Sequence, residues 1–140
     1  QGLLVPLSDN SSGNSVKYES PNIGNLKLMA LISSDGVAGN FRSGRVLEIG
    51  GEFATSRLTI DALYHKANSS VIGATNLEIY SRTTGLIDVA RTLGPMTILA
   101  GAERQTGDYP SSKTVIWGGA RYQASPAILV EMGAYQTLSR

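Results

Sequence analysis

The sequence has no cysteine, a single histidine, a single tryptophan and no long apolar run, and each scarcity closes off a class of protein. Without cysteine there is no disulfide framework and no thiolate metal site. No apolar stretch approaches the ~20 residues a transmembrane helix needs, so any membrane crossing must be made with strands. Charge of one sign is lacking as well. Twelve Lys and Arg against eleven Asp and Glu give a formal net charge of +1, which offers no field for gripping nucleic acid. The opening residues Gln1 to Asn10 show no Met, no basic cluster and no cleavage pattern. Either a signal peptide has been removed or the chain is an internal piece.

What is present is 140 residues, 41% hydrophobic and with 16 glycines, a length and balance that suit one folded domain over residues 1–140. Apolar residues alternate with polar ones in segments of about ten, and no stretch holds the i, i+3, i+4, i+7 pattern of a helix. The alternation predicts an all-β chain of eight strands, at residues 14–20, 25–33, 44–54, 57–66, 84–93, 96–105, 113–123 and 127–136. Four connections are short and rich in breakers: Ser20-Pro21-Asn22-Ile23-Gly24, Ala54-Thr55-Ser56, Leu93-Gly94-Pro95 and Ala124-Ser125-Pro126. The links between these hairpins, residues 34–43, 67–83 and 106–112, are longer and polar. Leu77, Ile79 and Tyr80 in the second of them leave room for a strand that runs on.

Short turns at one end and long loops at the other are the asymmetry of outer-membrane barrels. The expected fold is therefore a transmembrane antiparallel up-and-down β-barrel wall. Along each strand one parity is apolar: Leu26, Leu28, Ala30 and Ile32; Leu47, Ile49 and Phe53; Leu58, Ile60, Ala62 and Tyr64; Ile87 and Val89. Tyr18, Phe53 and Tyr122 share this parity and each falls within a few residues of a short turn, where amphipathic rings would mark a membrane boundary. The other parity is charged. Lys17, Lys27, Arg57 and Arg121 are its basic candidates for a pore lining, and Glu48, Glu52, Asp61 and Glu131 its acidic ones, with Glu19, Asp88 and Glu103 on the same face. A soluble sandwich also needs one apolar face per strand. The competing reading is thus a secreted or surface β-sandwich that binds a partner through its long loops.

Catalytic and metal chemistry find little support. Asp61 and His65 lie four apart in one strand, about 13 Å, too far for a hydrogen bond within a triad. There is no nucleophile elbow, phosphate loop or His-Glu-x-x-His pattern. Glu48, Glu52, Asp61 and Glu131 read more simply as a solvated face than as a cation site. No metal, no cofactor and no enzymatic activity are expected.

Asn14-Ser15-Val16-Lys17-Tyr18-Glu19-Ser20-Pro21 followed by Gly24-Asn25-Leu26-Lys27-Leu28 resembles the general Gram-negative porins, in which a strand ending in a Tyr-acidic-Ser-Pro turn leads into an apolar-alternating strand. Ile87 to Ala102, turning at Gly94-Pro95, is similar to the family's hairpins, as is Gly118-Gly119-Ala120-Arg121-Tyr122 before Ser125-Pro126. The resemblance implies a trimeric bacterial outer-membrane barrel of about sixteen strands, narrowed by an inward-folded loop and passing small hydrophilic solutes and ions by passive diffusion. Its implied partners are the lipid bilayer, lipopolysaccharide and further copies of itself. About sixteen strands of about ten residues need ~160 residues before loops, so the chain is expected to be an internal piece of about eight strands, with the constriction loop outside it. Arg91 departs from the family's pattern by placing a charge on the apolar parity next to a turn.

Overall fold

A strand that alternates apolar and polar residues leaves its backbone donors and acceptors free for a neighbour, and a short breaker-rich turn makes the next strand in sequence that neighbour. The computed structural model, which describes residues 14–34, 43–72, 77–108 and 112–139, follows this rule throughout. For residues 69–72 and 77–79 it describes backbone only. The opening segment 1–13 and residues 35–42, 73–76 and 109–111, from the centres of the expected long loops, lie outside the described residues.

The strands are β1 (Ser15–Glu19), β2 (Leu26–Ser34), β3 (Arg45–Ala54), β4 (Leu58–Ile72), β5 (Leu77–Leu93), β6 (Met96–Gly107), β7 (Lys113–Ser125) and β8 (Ile128–Ser139). They form one eight-stranded sheet in sequence order, with every neighbouring pair antiparallel. The all-β, up-and-down expectation holds. A sandwich needs two packed sheets, and the described residues form one. The sheet is open, with β1 and β8 at its edges.

The main departure from the sequence reading is the length of β4 and β5. Their ladder continues from Asn68↔Ser81 to Ile72↔Leu77, so much of the segment expected as a polar loop is paired strand. Ladder hydrogen bonds are made by the backbone and need no apolar face, so a polar stretch extends a hairpin that its neighbours have already registered.

The short turns are secured locally. Between β5 and β6 the two-residue link Gly94-Pro95 has Gly94 at φ +60°, the sign a type II′ turn needs at its first central residue. Ser20 caps the β1–β2 turn: its amide donates to the Leu28 carbonyl at 2.9 Å and its hydroxyl accepts from the Leu28 amide at 2.8 Å. At the β3–β4 turn the Thr55 hydroxyl accepts from the Leu58 amide at 2.9 Å, while the Thr55 amide donates to the Leu58 carbonyl at 2.8 Å.

Burial along the strands is inverted relative to a water-soluble domain. Among the described residues the buried hydrophobic side chains are Met29 and Leu31, whereas Ser20, Ser33, Ser43, Glu48, Asp61 and Asp88 are buried polar ones. The exposed set includes Ile32, Ile49, Tyr64, Ile87, Ile98, Ile116 and Met132, all of the apolar parity. With no second layer on either side, the burial of the charged face comes from the curl of the sheet itself, as twisted, tilted strands begin to close. The charged residues share the inward face with a few apolar ones such as Met29, Leu31 and Leu86, while the outward face is apolar along the middle of the strands.

Candidate functional site

The inward face is organised by register. Counting outward from the β3–β4 turn pairs Ala54 with Thr59, Glu52 with Asp61 and Glu48 with His65; across β4–β5, Asp61 pairs with Asp88. Lys27 opposes Glu52 on the other side, and beyond Asp88 the same row continues through Gly101 to Trp117. Directly opposed residues in antiparallel strands have Cα atoms about 4.5–5.5 Å apart, so each member of the row adjoins the next.

The candidate lining residues Lys17, Lys27, Glu48, Glu52, Arg57, Asp61, Arg121 and Glu131 all fall on the inward parity, but their partners divide them. Glu19 accepts from Lys17 and from Lys27, each at 2.9 Å. Arg121 and Glu131 pair across β7 and β8, both about half exposed. Arg57 stays in the turn before β4, where its carbonyl accepts from the Thr92 amide at 2.8 Å. The structure thus places three of the four basic candidates against carboxylates near the two edges of the sheet. Glu52 and Asp61 lie in its middle.

His65 is not held by Asp61. Its Nδ1 lies 2.6 Å from Glu48 Oε1, one strand away, and Glu48 is 1% exposed. The pairing follows from the turn register, which was available in the sequence once the reversal at Ala54-Thr55-Ser56 was fixed. Among the described residues no group of three His, Asp or Glu is arranged to hold a metal ion.

Two further wall residues escaped the sequence reading. The Trp117 indole N–H donates to the Asp88 carboxylate. Gly101, between them in the row, makes this possible: a Cβ at residue 101 would run into both the Asp88 carboxylate and the Trp117 ring. The relevant signal was a lone tryptophan on the polar parity with a glycine at the paired position of the next strand. Glycine weakens a strand unless something approaches it closely, and here a ring does.

On the outward face Tyr18, Phe53 and Tyr122 are exposed and sit at the short-turn end. Arg45, Lys66 and Arg104 are exposed on the same parity at the opposite end, beyond Leu47, Tyr64 and Ala102. Arg91 is outward near the short turn, between Leu58 and Ile98 in register.

A single up-and-down sheet, its charged parity buried and its apolar parity exposed, with short turns gathered at one end, has the strand order and face division of part of an up-and-down β-barrel wall. Among solved structures the chain is similar to a porin, with a TM-score of 0.72 and 14% identity over 88% of this chain. The fold is porin-like, and the chain spans 44% of the length of that porin's chain. No protein-family model matches the sequence, and no curated protein matches it.

Proposed function

We propose that the chain forms part of the wall of a bacterial outer-membrane porin, a water-filled channel through which small hydrophilic solutes and ions diffuse passively. The observation that carries this reading is the inverted burial: carboxylates inside the curl, isoleucines and tyrosines outside it. A barrel in lipid satisfies its backbone groups strand to strand and turns its apolar side chains to the acyl chains, so the inward face is left to water.

On this reading Lys17, Lys27, Arg57 and Arg121 with Glu48, Glu52, Asp61 and Glu131 line the lumen, and no catalytic step is involved. Tyr18, Phe53 and Tyr122 lie at the headgroup level of the short-turn side. Arg45, Lys66 and Arg104, outward beyond the apolar band at the long-loop end, suit the phosphates of lipopolysaccharide. A homotrimer, as the family resemblance implies, completes the proposal.

The test is single-channel recording on the full-length protein in planar bilayers. Stepwise, persistent current increments are expected as molecules insert. A protein that stays monodisperse in plain buffer without detergent and produces no current would overturn the reading.

A further inference from the structure

The charges of the inward face are sorted along the sheet. Near its edges they are paired: Glu19 with Lys17 and Lys27, and Glu131 with Arg121. Between Arg57 in the β3–β4 turn and Arg82 near the long-loop end of β5, the inward parity of β3–β6 holds Glu48, Glu52, Asp61, Asp88 and Glu103 with no lysine or arginine among them. Three of these carboxylates are direct cross-strand partners, Glu52 to Asp61 and Asp61 to Asp88. Like charges placed directly opposite weaken a sheet, so the fold gains nothing from this row.

A second observation points outside the protein. Asp61, in the middle of the row, is 3% exposed, and its Oδ1 has no hydrogen-bond partner. A buried acceptor of this kind is ordinarily satisfied. The protein supplies it with negative neighbours on both sides and no donor. The described residues are not arranged as a three-ligand metal site, so the row suits a hydrated, exchanging cation better than a coordinated one. Trp117 has a positioning role here, its indole N–H fixing the Asp88 carboxylate at the end of the row.

Resting on the channel reading above, we propose that β3–β6 form a cation lane, a stripe of carboxylates centred on Glu52, Asp61 and Asp88 that concentrates small hydrated monovalent cations along this side of the pore. Rings and stripes of acidic side chains raise the local cation concentration and set permeation preference in cation channels.

The test is the reversal potential of the full-length protein in planar bilayers under a KCl gradient. The variant E52Q/D61N/D88N should lower the potassium-to-chloride permeability ratio by at least about twofold while stepwise conductance persists. Arg91→Gln, an outward charge change, should leave the ratio unaltered. If the triple variant does not insert, Glu52→Gln alone, at a half-buried position, should lower the ratio in the same direction. Wild-type current with an unchanged ratio in every inward variant overturns the lane and leaves the channel standing. Insertion of the wild type without current overturns the channel reading, and the lane with it.

Discussion

Ile87→Arg is expected to destabilise the bilayer-inserted protein by about 2–4 kcal/mol, the range for a basic side chain at the midplane of the lipid face. Ile87 is half exposed on the outward face of β5, with Ala62 and Ala102 as its cross-strand partners. It lies six residues before Leu93, the last residue of β5, and so far from the short-turn boundary where an arginine snorkels readily. The next residue back, Leu86, faces inward against Leu63 and Glu103, where an introduced arginine finds water and a carboxylate. Leu86→Arg should therefore cost far less. Ala100→Phe separates lipid from a packed protein core. Ala100 is exposed on the outward face, so added apolar bulk should be neutral or stabilising in lipid, whereas overpacking a core costs about 1–3 kcal/mol. Equilibrium urea unfolding from vesicles measures all three. A large loss for Ala100→Phe would mean that this face packs against protein.

Gly101→Leu is the second large effect. A Cβ alone already meets the Asp88 carboxylate and the Trp117 ring, and a leucine extends the collision. The indole must leave its place across β6 and give up its hydrogen bond to Asp88. The expected loss is about 1–3 kcal/mol from overpacking. It should be accompanied by a change in the emission assigned to Trp117 by difference from Trp117→Phe. Unchanged stability and emission would show that the ring does not lie over residue 101.

The strands, the short turns and the division into two faces were legible because they rest on local signals, namely period-2 alternation and breaker residues such as Gly94-Pro95. Register was only partly legible. Once a turn is fixed, counting outward gives Glu48 against His65, but alternation by itself assigns a face and not a height. Alternation therefore offers His65 only Asp61, four positions away on its own strand, as an acidic neighbour. The β4–β5 extension is signalled in the sequence only by Leu77, Ile79 and Tyr80, because a polar segment carries the same composition as a ladder and as a loop. Trp117 went unassigned because its position depends on the missing side chain at Gly101.

Alternation alone does not choose between sandwich and barrel, because both need one apolar face per strand; the turn asymmetry and the placement of Tyr18, Phe53 and Tyr122 are what favour the barrel in the sequence. The structure separates them through the absence of a second sheet among the described residues and the burial of Glu48, Asp61 and Asp88 in place of Ile49, Ile87 and Ile98. The charge sorting on β3–β6 likewise needed the register, since a list of inward charges by type does not show that Glu52, Asp61 and Asp88 are direct cross-strand neighbours.

The central claim is that one face of this sheet meets lipid while the other meets water. With no native cysteine in the sequence, single-cysteine nitroxide labels along β5 test it directly in bilayers. Labels at Gly85, Ile87 and Val89 should collide most with oxygen, which concentrates in the acyl region. Labels at Thr84, Leu86 and Asp88 should collide most with a water-soluble nickel chelate, so the two accessibilities run with period 2 and opposite phase. A β5 in which the Ile87 and Val89 labels meet neither reagent, or in which both reagents peak at the same positions, would contradict the account.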